Sequence, residues 1–258
     1  MEPGKAQITD LSGYLYRMQK SMIDKMFFID KIFEPIEYIV DFGCANGELI
    51  KMLQYYFDEY KYAGYDISEK MIEAAKKNVP EAEFCSDWSS LRIPFDRSLL
   101  NISSVIHEVY SYCGEADIEL FWKRTFQSGF QYVTIRDMML SDCSGSQKAS
   151  AEDILKIRQN GRYASHLADY ERVWCAIESE RDLIHYLLKY SYTENWEREV
   201  TEDYLGLSVE GLMSLIPDNY RVTYCEHYTL PFIAWQVKKD FDIEIKTPTH
   251  FKIILERK

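Results

Sequence analysis

The sequence lacks a long apolar run, because no stretch approaches the roughly 18 uncharged apolar residues that suggest a membrane-crossing helix. We therefore expect no membrane span. The first residues, Met1-Glu2-Pro3-Gly4-Lys5, carry no apolar signal segment either. Together these absences predict a cytoplasmic protein.

Paired cysteines are also missing. The six cysteines are scattered, and none stands in a C-x-x-C pair or a zinc-knuckle spacing. We expect them to be reduced thiols, several of them in the core. The sequence shows no metal-ligand spacing, so it gives no support to a metal-assisted mechanism.

Basic runs are absent as well. No run of five or more Lys or Arg occurs, and the formal net charge is −12. Nonspecific nucleic-acid binding usually needs a basic face, so this charge argues against such a partner without excluding a local basic groove. With 258 residues and 47% hydrophobic residues, the chain can bury a sizeable core as one large domain or one domain with an insertion.

The most informative stretch is 38–50, which reads as a buried strand, a turn of small residues and the start of a helix. Gly43 and Gly47 allow a sharp turn and a close approach of ligand to backbone. The turn leads into a helix N-terminus, which suits a nucleotide-like ligand. A dinucleotide fingerprint laid from Gly43 would place Ala45 and Glu48 where its later glycines belong. Glu48 would set negative charge beside a pyrophosphate, which disfavours a nicotinamide-dependent oxidoreductase.

With Asp41 before the turn, the pattern is acidic-x-G-x-small-x-G. It resembles the first motif of the class I S-adenosylmethionine-dependent methyltransferases, although glycine is more usual in that family where this chain has Ala45. Three later segments resemble the next motifs of that family in the same order; they lie at 62–68, 83–88 and 99–109. The resemblance implies a Rossmann-like, seven-stranded, mostly parallel α/β sheet with helices on both faces and S-adenosylmethionine as cofactor.

The resemblance also implies a donor site. Its residues are Asp41, Gly43, Cys44, Ala45, Asn46, Gly47, Asp66, Ile67, Ser68, Asp87, Trp88, Ser104 and Val105. Asp66 lies 23 residues after Gly43, a spacing at which an acid can accept hydrogen bonds from both ribose hydroxyls. In the family, an acid after the third strand meets the adenine amino group and the next side chain often lies against the ring. Asp87 and Trp88 match those two positions.

Strands and helices alternate through the first half of the chain, which predicts a parallel sheet. We expect strands at 37–42, 61–66, 82–85, 98–105 and 131–136, and two final strands at 220–228 and 249–255. The resemblance implies that the last strand is antiparallel. The predicted division is 1–137 for an N-terminal helix and the donor-binding core, 138–219 for an inserted helical cap, and 220–258 for the strands that complete the sheet.

Periodicity predicts one helix over 12–33, packed on the sheet or, through Tyr14, Tyr16 or Arg17, closing over the donor. In the cap we expect a loop at 141–146 and then one long helix that carries Leu167 through Leu188. Arg181 interrupts its apolar stripe, either as a surface residue or as the partner of a carboxylate. The segment at 231–246 is too long for a simple hairpin loop.

His107 and Glu108 are the candidate catalytic residues, directly after the fourth predicted strand. An imidazole with a pKa near 6.5 can take a proton from a hydroxyl or an amine near neutral pH. Alternatively, His107 bonds to backbone or packs beside the donor, and Glu108 is a first-turn acid favoured by the helix dipole.

The sequence therefore predicts methyl transfer from S-adenosylmethionine to oxygen or nitrogen of a small-molecule acceptor. The acidic charge and a cap that could enclose a modest ligand motivate this choice of acceptor. RNA or another nucleic acid is the alternative acceptor. A nicotinamide-dependent oxidoreductase and a noncatalytic S-adenosylmethionine-binding protein are the alternatives from other classes. The sequence leaves open the acceptor, the acceptor atom and the oligomeric state.

Overall fold

The computed structural model describes residues 21–258. Tyr14, Tyr16 and Arg17 lie outside the described residues. The strands are β1 (Tyr38–Phe42), β2 (Lys61–Tyr65), β3 (Glu83–Cys85), β4 (Ser98–Ser103), β5 (Tyr132–Met138), β6 (Tyr220–Tyr228) and β7 (His250–Arg257). They form one seven-stranded sheet in the order β3-β2-β1-β4-β5-β7-β6.

The first five strands pair in parallel, and β7 is antiparallel to both β5 and β6. This arrangement confirms the predicted mostly parallel sheet with an antiparallel last strand. The α-helices are α1 (Met22–Lys25), α2 (Glu48–Tyr56), α3 (Glu69–Asn78), α4 (Ile106–Tyr112), α5 (Glu115–Gln127), α6 (Asp142–Gly145), α7 (Ala151–Gln159), α8 (Ala164–Val173), α9 (Glu180–Lys189), α10 (Trp196–Glu199), α11 (Val209–Leu215) and α12 (Pro231–Phe241). Within residues 21–258, no helix combines the length and apolarity needed to cross a membrane.

The central strands are buried on both faces, which explains their continuous apolar sequences. Successive side chains of a strand point to opposite faces. Val40 and Leu100 accordingly join the core on one face of the sheet, whereas Ile39 and Leu99 join the core on the other. All four side chains are fully buried, so two packed layers hold the carboxyl ends of β1 and β4 in place.

The strand register brings the motif residues together. Phe42 pairs with Tyr65 on β2 and with Ile102 on β4, and Ser103 pairs with Arg136 on β5. The residues that follow these pairs therefore emerge at one edge of the sheet. Open α/β sheets bind their ligands at this edge.

The helix predicted over 12–33 is wrong in its described part. Within 21–33, α-helix extends only over Met22–Lys25, and the chain then tightens into turns closed by bonds from Met26 N to Ile23 O and from Ile29 N to Met26 O, both 3.1 Å. The adjacent side chains Phe27 and Phe28 are both buried. A regular helix would turn adjacent residues about 100° apart, so these turns serve burial better than a continued helix does.

The long cap helix predicted from Leu167 to Leu188 is also wrong, because the chain forms two helices, α8 and α9. Ser179 begins α9 with a capping box, in which its hydroxyl accepts from Asp182 N and the Asp182 carboxylate accepts from Ser179 N. Ser179 and Asp182 thus begin a new helix at a point where the apolar periodicity predicts a continuous one.

The structure also answers two smaller questions about the predicted cap. The segment predicted as a loop at 141–146 contains the short helix α6, which Ser141 caps. Arg181 does pair with a carboxylate, since its Nη2 lies 2.9 and 3.0 Å from the Asp203 oxygens. Helices α6 to α11 occupy the chain between β5 and β6, where the cap was expected. The three-part division of the chain stays a prediction.

Candidate active site

The turn between β1 and α2 has backbone that glycine favours. Gly43 and Gly47 have φ of +76° and +78°, in the left-handed region. Gly43 N and Cys44 N donate to Tyr65 O at 2.7 and 3.0 Å, which fixes the turn against β2. A Cβ on Gly43 would lie 2.5 Å from Cγ2 of Val105, so the turn and the end of β4 are closely packed.

Asp66 orders this turn from the end of β2. Its Oδ2 accepts from Ala45 N and its Oδ1 accepts from Ser68 N, both at 2.9 Å. A carboxylate oxygen can accept more than one hydrogen bond. Asp66 is therefore built into the loop that faces the ligand and has the chemistry to accept ribose hydroxyls.

Glu48 is hydrogen-bonded to α3. Its Oε1 accepts from Nδ2 of Asn78 at 2.8 Å, and the same Asn78 nitrogen lies 3.1 Å from Asn46 O. The glutamate that argued against a dinucleotide thus helps to fix the turn to α3.

A small cavity beside the turn collects groups suited to an α-amino acid. Asp41, Lys25 and Ser103 line it together with Gly43. Burial raises the pKa of Asp41 to about 6 and lowers that of Lys25 to about 8. Among residues 21–258, the buried hydroxyl of Ser103 has no hydrogen-bond partner. A carboxylate, an ammonium and a hydroxyl fit the charged amino-acid end of S-adenosylmethionine.

A cleft of about 1630 Å³ opens along the carboxyl edge of the sheet, beneath α9, α10 and α12. The predicted residues on its walls are Gly43, Ala45, Asp66, Ile67, Ser68, Ser104, Val105, His107 and Glu108. The smaller cavity adds Asp41, Cys44 and Asn46. Most of the predicted donor site therefore comes together in space.

Gly47, Asp87 and Trp88 line neither cavity. The Asp87 carboxylate accepts from Ser89 N at 2.9 Å and caps the short 3₁₀ turn Trp88–Ser90. The Trp88 ring packs against the rings of Phe42 and Tyr65, with centroids 5.4 Å apart in each case. Their adenine contacts stay predictions.

His107 forms a pair with a residue that the sequence analysis missed. Its Nδ1 lies 2.8 Å from Oδ1 of Asp137, which follows the segment predicted as the fifth strand. The second oxygen, Oδ2, accepts from Val105 N at 2.9 Å and from Ile106 N at 2.7 Å. These bonds hold Asp137 rigidly, so it fixes the orientation of the imidazole.

Each member of this pair shifts the pKa of the other. Burial alone would lower the pKa of His107, but the charge and hydrogen bond of Asp137 outweigh it and raise that pKa to about 9. The pKa of Asp137 is lowered: burial opposes this, and the charge and hydrogen bond of His107 prevail. At neutral pH the two groups therefore form an ion pair. Among the described residues, none hydrogen-bonds Nε2 of His107, which leaves that atom for a ligand in the cleft.

Signals for the missed residues were weak. Asp137 directly follows the predicted strand 131–136, just as Asp66 ends the predicted strand 61–66, so an acid at the end of a strand could have pointed to it. Lys25 stands three residues after the apolar Met22 in the predicted helix, where nothing in the sequence singles it out. Within residues 21–258, no group of three or more His, Cys, Asp or Glu side chains is placed to hold a metal ion.

Comparisons with known proteins agree with this geometry. A family model described as a methyltransferase domain matches residues 39–128. No curated protein sequence matches the chain. The pyocyanin biosynthetic protein PhzM is similar in structure, with a TM-score of 0.51 and 11% identity over 95% of this chain. This chain covers only 57% of PhzM, so the likeness shows the fold alone.

The plantazolicin methyltransferase BpumL, solved in complex with SAH, gives a TM-score of 0.48 and 12% identity, with 95% of this chain and 89% of BpumL covered. The family match carries the assignment, and the glycine turn, Asp66 and the sheet order agree with it. Residues 39–128 therefore match a methyltransferase domain, and the sheet around them has the mostly parallel, seven-stranded order expected of the class I fold.

Proposed function

We propose that the protein methylates an oxygen or nitrogen atom of a small-molecule acceptor, with His107 as general base and Asp137 as its positioning residue. The observation that carries the proposal is the buried His107–Asp137 pair on the wall of the cleft. His107 follows Val105, which packs on the donor turn at Gly43. The base and the donor loop thus border the same space.

S-adenosylmethionine supplies a methyl group already activated on a sulfonium, so positioning supplies much of the acceleration. Asp66 and the Gly43 turn position the nucleoside part, and Asp41 with Lys25 holds the amino-acid part. Asp137 accepts from Nδ1 of His107, which leaves the lone pair of the neutral imidazole on Nε2. That lone pair takes the proton of the acceptor.

The helices around the cleft favour a small acceptor. Helices α9 and α10 and the helix α12 between β6 and β7 all contribute walls to the cleft. Aromatic side chains such as Tyr112, Tyr192 and Tyr204 line it, and pockets of this kind suit small ligands. The net charge of −12 supports the same choice over a polyanionic acceptor.

The first test uses His107→Gln on an acceptor found by screening phenols, alcohols and amines for S-adenosylhomocysteine release. Loss of a general base should lower kcat by about 10²- to 10⁴-fold. Binding of S-adenosylhomocysteine, measured by calorimetry, should not change. His227→Gln is the control, because His227 bonds to Met139 O outside the cleft. Unchanged turnover by His107→Gln would remove the base from the proposal.

The pH profile tests Asp137. Since Asp137 raises the pKa of His107 to about 9, the neutral base becomes more abundant as pH rises toward that value. The kcat/KM of the parent should therefore climb through neutral pH. Asp137→Asn removes the raising charge, so the rising limb should move to lower pH while the maximum falls. If the rising limb of the kcat/KM profile stays at the same pH in Asp137→Asn, a group other than His107 controls it.

A further inference from the structure

Three carboxyl groups stand near His107 on the walls of the cleft: Glu108, Glu199 and Glu202. Two of them share one cation. Arg198 Nη2 lies 2.6 Å from Oε1 of Glu108 and 2.7 Å from Oε1 of Glu202. Tyr112 also donates to Glu202 at 2.8 Å. These contacts satisfy Glu108 and Glu202 within the protein.

Glu199 differs from its two neighbours. It is only 4% exposed, lines the cleft, and accepts one hydrogen bond, from the Tyr204 hydroxyl to Oε2. Within residues 21–258, no Lys, Arg or His lies at ion-pair distance from Glu199, and Oε1 has no hydrogen-bond partner. The nearby Lys189 ammonium donates instead to Glu202 O. Glu199 is thus a buried carboxyl with an unused oxygen in the cleft.

A buried carboxylate of this kind destabilises the folded protein unless a bound ligand pairs with it. A buried carboxylate loses solvation, and one hydrogen bond replaces it only in part. Burial accordingly raises the pKa of Glu199, and the charge of Glu202 adds to the effect. The Tyr204 hydrogen bond and the charges of Arg198 and His107 oppose this rise without cancelling it. A cation arriving from the cleft would favour the ionised form and form a charge-assisted hydrogen bond.

Glu199 also lies close to the reacting end of the cleft. The Tyr204 ring, whose hydroxyl bonds Glu199, packs edge-on against the imidazole of His107 with centroids 5.3 Å apart. A ligand that contacts Glu199 therefore sits beside His107.

We propose that Glu199 binds an ammonium group of the acceptor, so that the enzyme acts on amine-bearing small molecules. The inference rests on the proposed function, in which His107 marks the reacting end of the cleft. Glu199 selects the acceptor, and the donor is bound by the separate turn at 43–47 with Asp66. The proposal that the acceptor carries an amine can therefore be wrong while the proposal of methyl transfer with His107 as base remains correct.

The test uses matched amines and alcohols, with the enzyme saturated by S-adenosylhomocysteine. The pairs are tyramine with tyrosol, phenethylamine with 2-phenylethanol, and tryptamine with tryptophol. In at least one pair the amine should bind about tenfold more tightly than the alcohol, as expected for one charge-assisted bond of about 1.4 kcal/mol. Calorimetry or ligand-observed NMR measures each Kd.

Glu199→Gln removes the charge but keeps an oxygen to accept from Tyr204, and it should erase the preference for the amine. Glu197→Gln is the matched control, since Glu197 is an exposed glutamate on the same helix, α10. It should keep the full preference. Thermal unfolding of both variants checks that the fold persists.

Three results would overturn the inference: no amine binds, every alcohol binds as well as its amine, or the preference survives in Glu199→Gln. Binding of S-adenosylhomocysteine is measured in parallel. If it persists in all variants, the donor site stands and only the amine class fails. If it is absent from the parent protein, the proposed function fails first.

Discussion

At the scale of single residues, Gly43 is constrained twice. Its φ of +76° costs an L-residue about 1–2 kcal/mol, and a Cβ there would lie 2.5 Å from Val105. Gly43→Ala should therefore distort the donor turn and weaken S-adenosylhomocysteine binding by about tenfold or more, as measured by calorimetry.

Gly114→Ala is the control for that change. Gly114 has φ of −78°, and a Cβ on it would meet no atom within 4 Å. It should bind the donor product like the parent. Equal binding by Gly43→Ala and the parent would show that this turn does not approach the ligand.

Asp66 has a double role that shapes its prediction. If it accepts from the ribose, each charge-assisted bond contributes about 1.5–3 kcal/mol, so Asp66→Ala should weaken donor binding by at least about tenfold. Asp66→Ala also deprives Ala45 N and Ser68 N of their acceptor. Asp66→Asn keeps an oxygen for one of these bonds and should lose less. Titration calorimetry compares the three proteins, and an unchanged Kd in Asp66→Ala would remove Asp66 from the site.

At the scale of elements, helix α4 joins the chemistry to the cap. It carries His107, and one turn later its Ser111 hydroxyl accepts from Asp203 N at 2.7 Å. Glu108 on the same helix pairs with Arg198 of α10. The predicted cap is thus fixed to the helix that carries His107, so a shift of the cap also moves His107.

Arg198→Met tests this attachment. The substitution keeps an unbranched, flexible side chain, although a shorter one, and removes the guanidinium that pairs with the buried Glu202 and with Glu108. Removing one partner of a buried ion pair costs about 3–5 kcal/mol. Hydrogen exchange should then accelerate over 180–205, with little change in β1 and β4.

Arg172→Met is the comparison for Arg198→Met. Arg172 is an exposed cap arginine paired with Asp169, and exposed pairs contribute about 0–1 kcal/mol. Its exchange pattern should match that of the parent. If Arg198→Met also matched the parent, the ion pairs would not be what holds the cap on α4.

At the scale of the whole molecule, the site costs stability. Asp41 is 5% exposed, and burial raises its pKa from 3.8 to about 6. The folded protein therefore prefers the neutral carboxyl, and stability is lost as pH rises from 3.8 through about 6. A shift of about two pKa units corresponds to on the order of 2–3 kcal/mol.

Asp41→Asn should recover that stability. Its Oδ1 can still accept from Asn101 Nδ2, a bond of 2.8 Å in the parent. The variant should be more stable than the parent above about pH 6, and the difference should shrink as pH falls toward 4. Chemical denaturation at several pH values measures this. A difference that does not depend on pH would show that folding does not shift the pKa of Asp41.

The sequence alone determined the sheet and the donor turn, because their signals are local. Apolar runs predicted every strand within three residues at each end, and β6 was predicted at its observed bounds, Tyr220–Tyr228. Gly43 and Asp66 were found because a sharp turn and an acid after a strand each leave a short-range pattern. Helix ends were harder to predict. The apolar stripe continues from α8 into α9, although the chain breaks between them and Ser179 caps the start of α9.

Only the tertiary structure decided the partners of the catalytic candidate. His107 meets Asp137 because β4 and β5 are neighbours in the sheet, and it lies near Glu199 because the cap folds back over α4. Periodicity reports which face of an element is apolar, but not which polar side chains meet across elements distant in sequence. The orientation and charge of the proposed base therefore depend on how the chain packs, whereas the donor loop can be predicted from the local sequence.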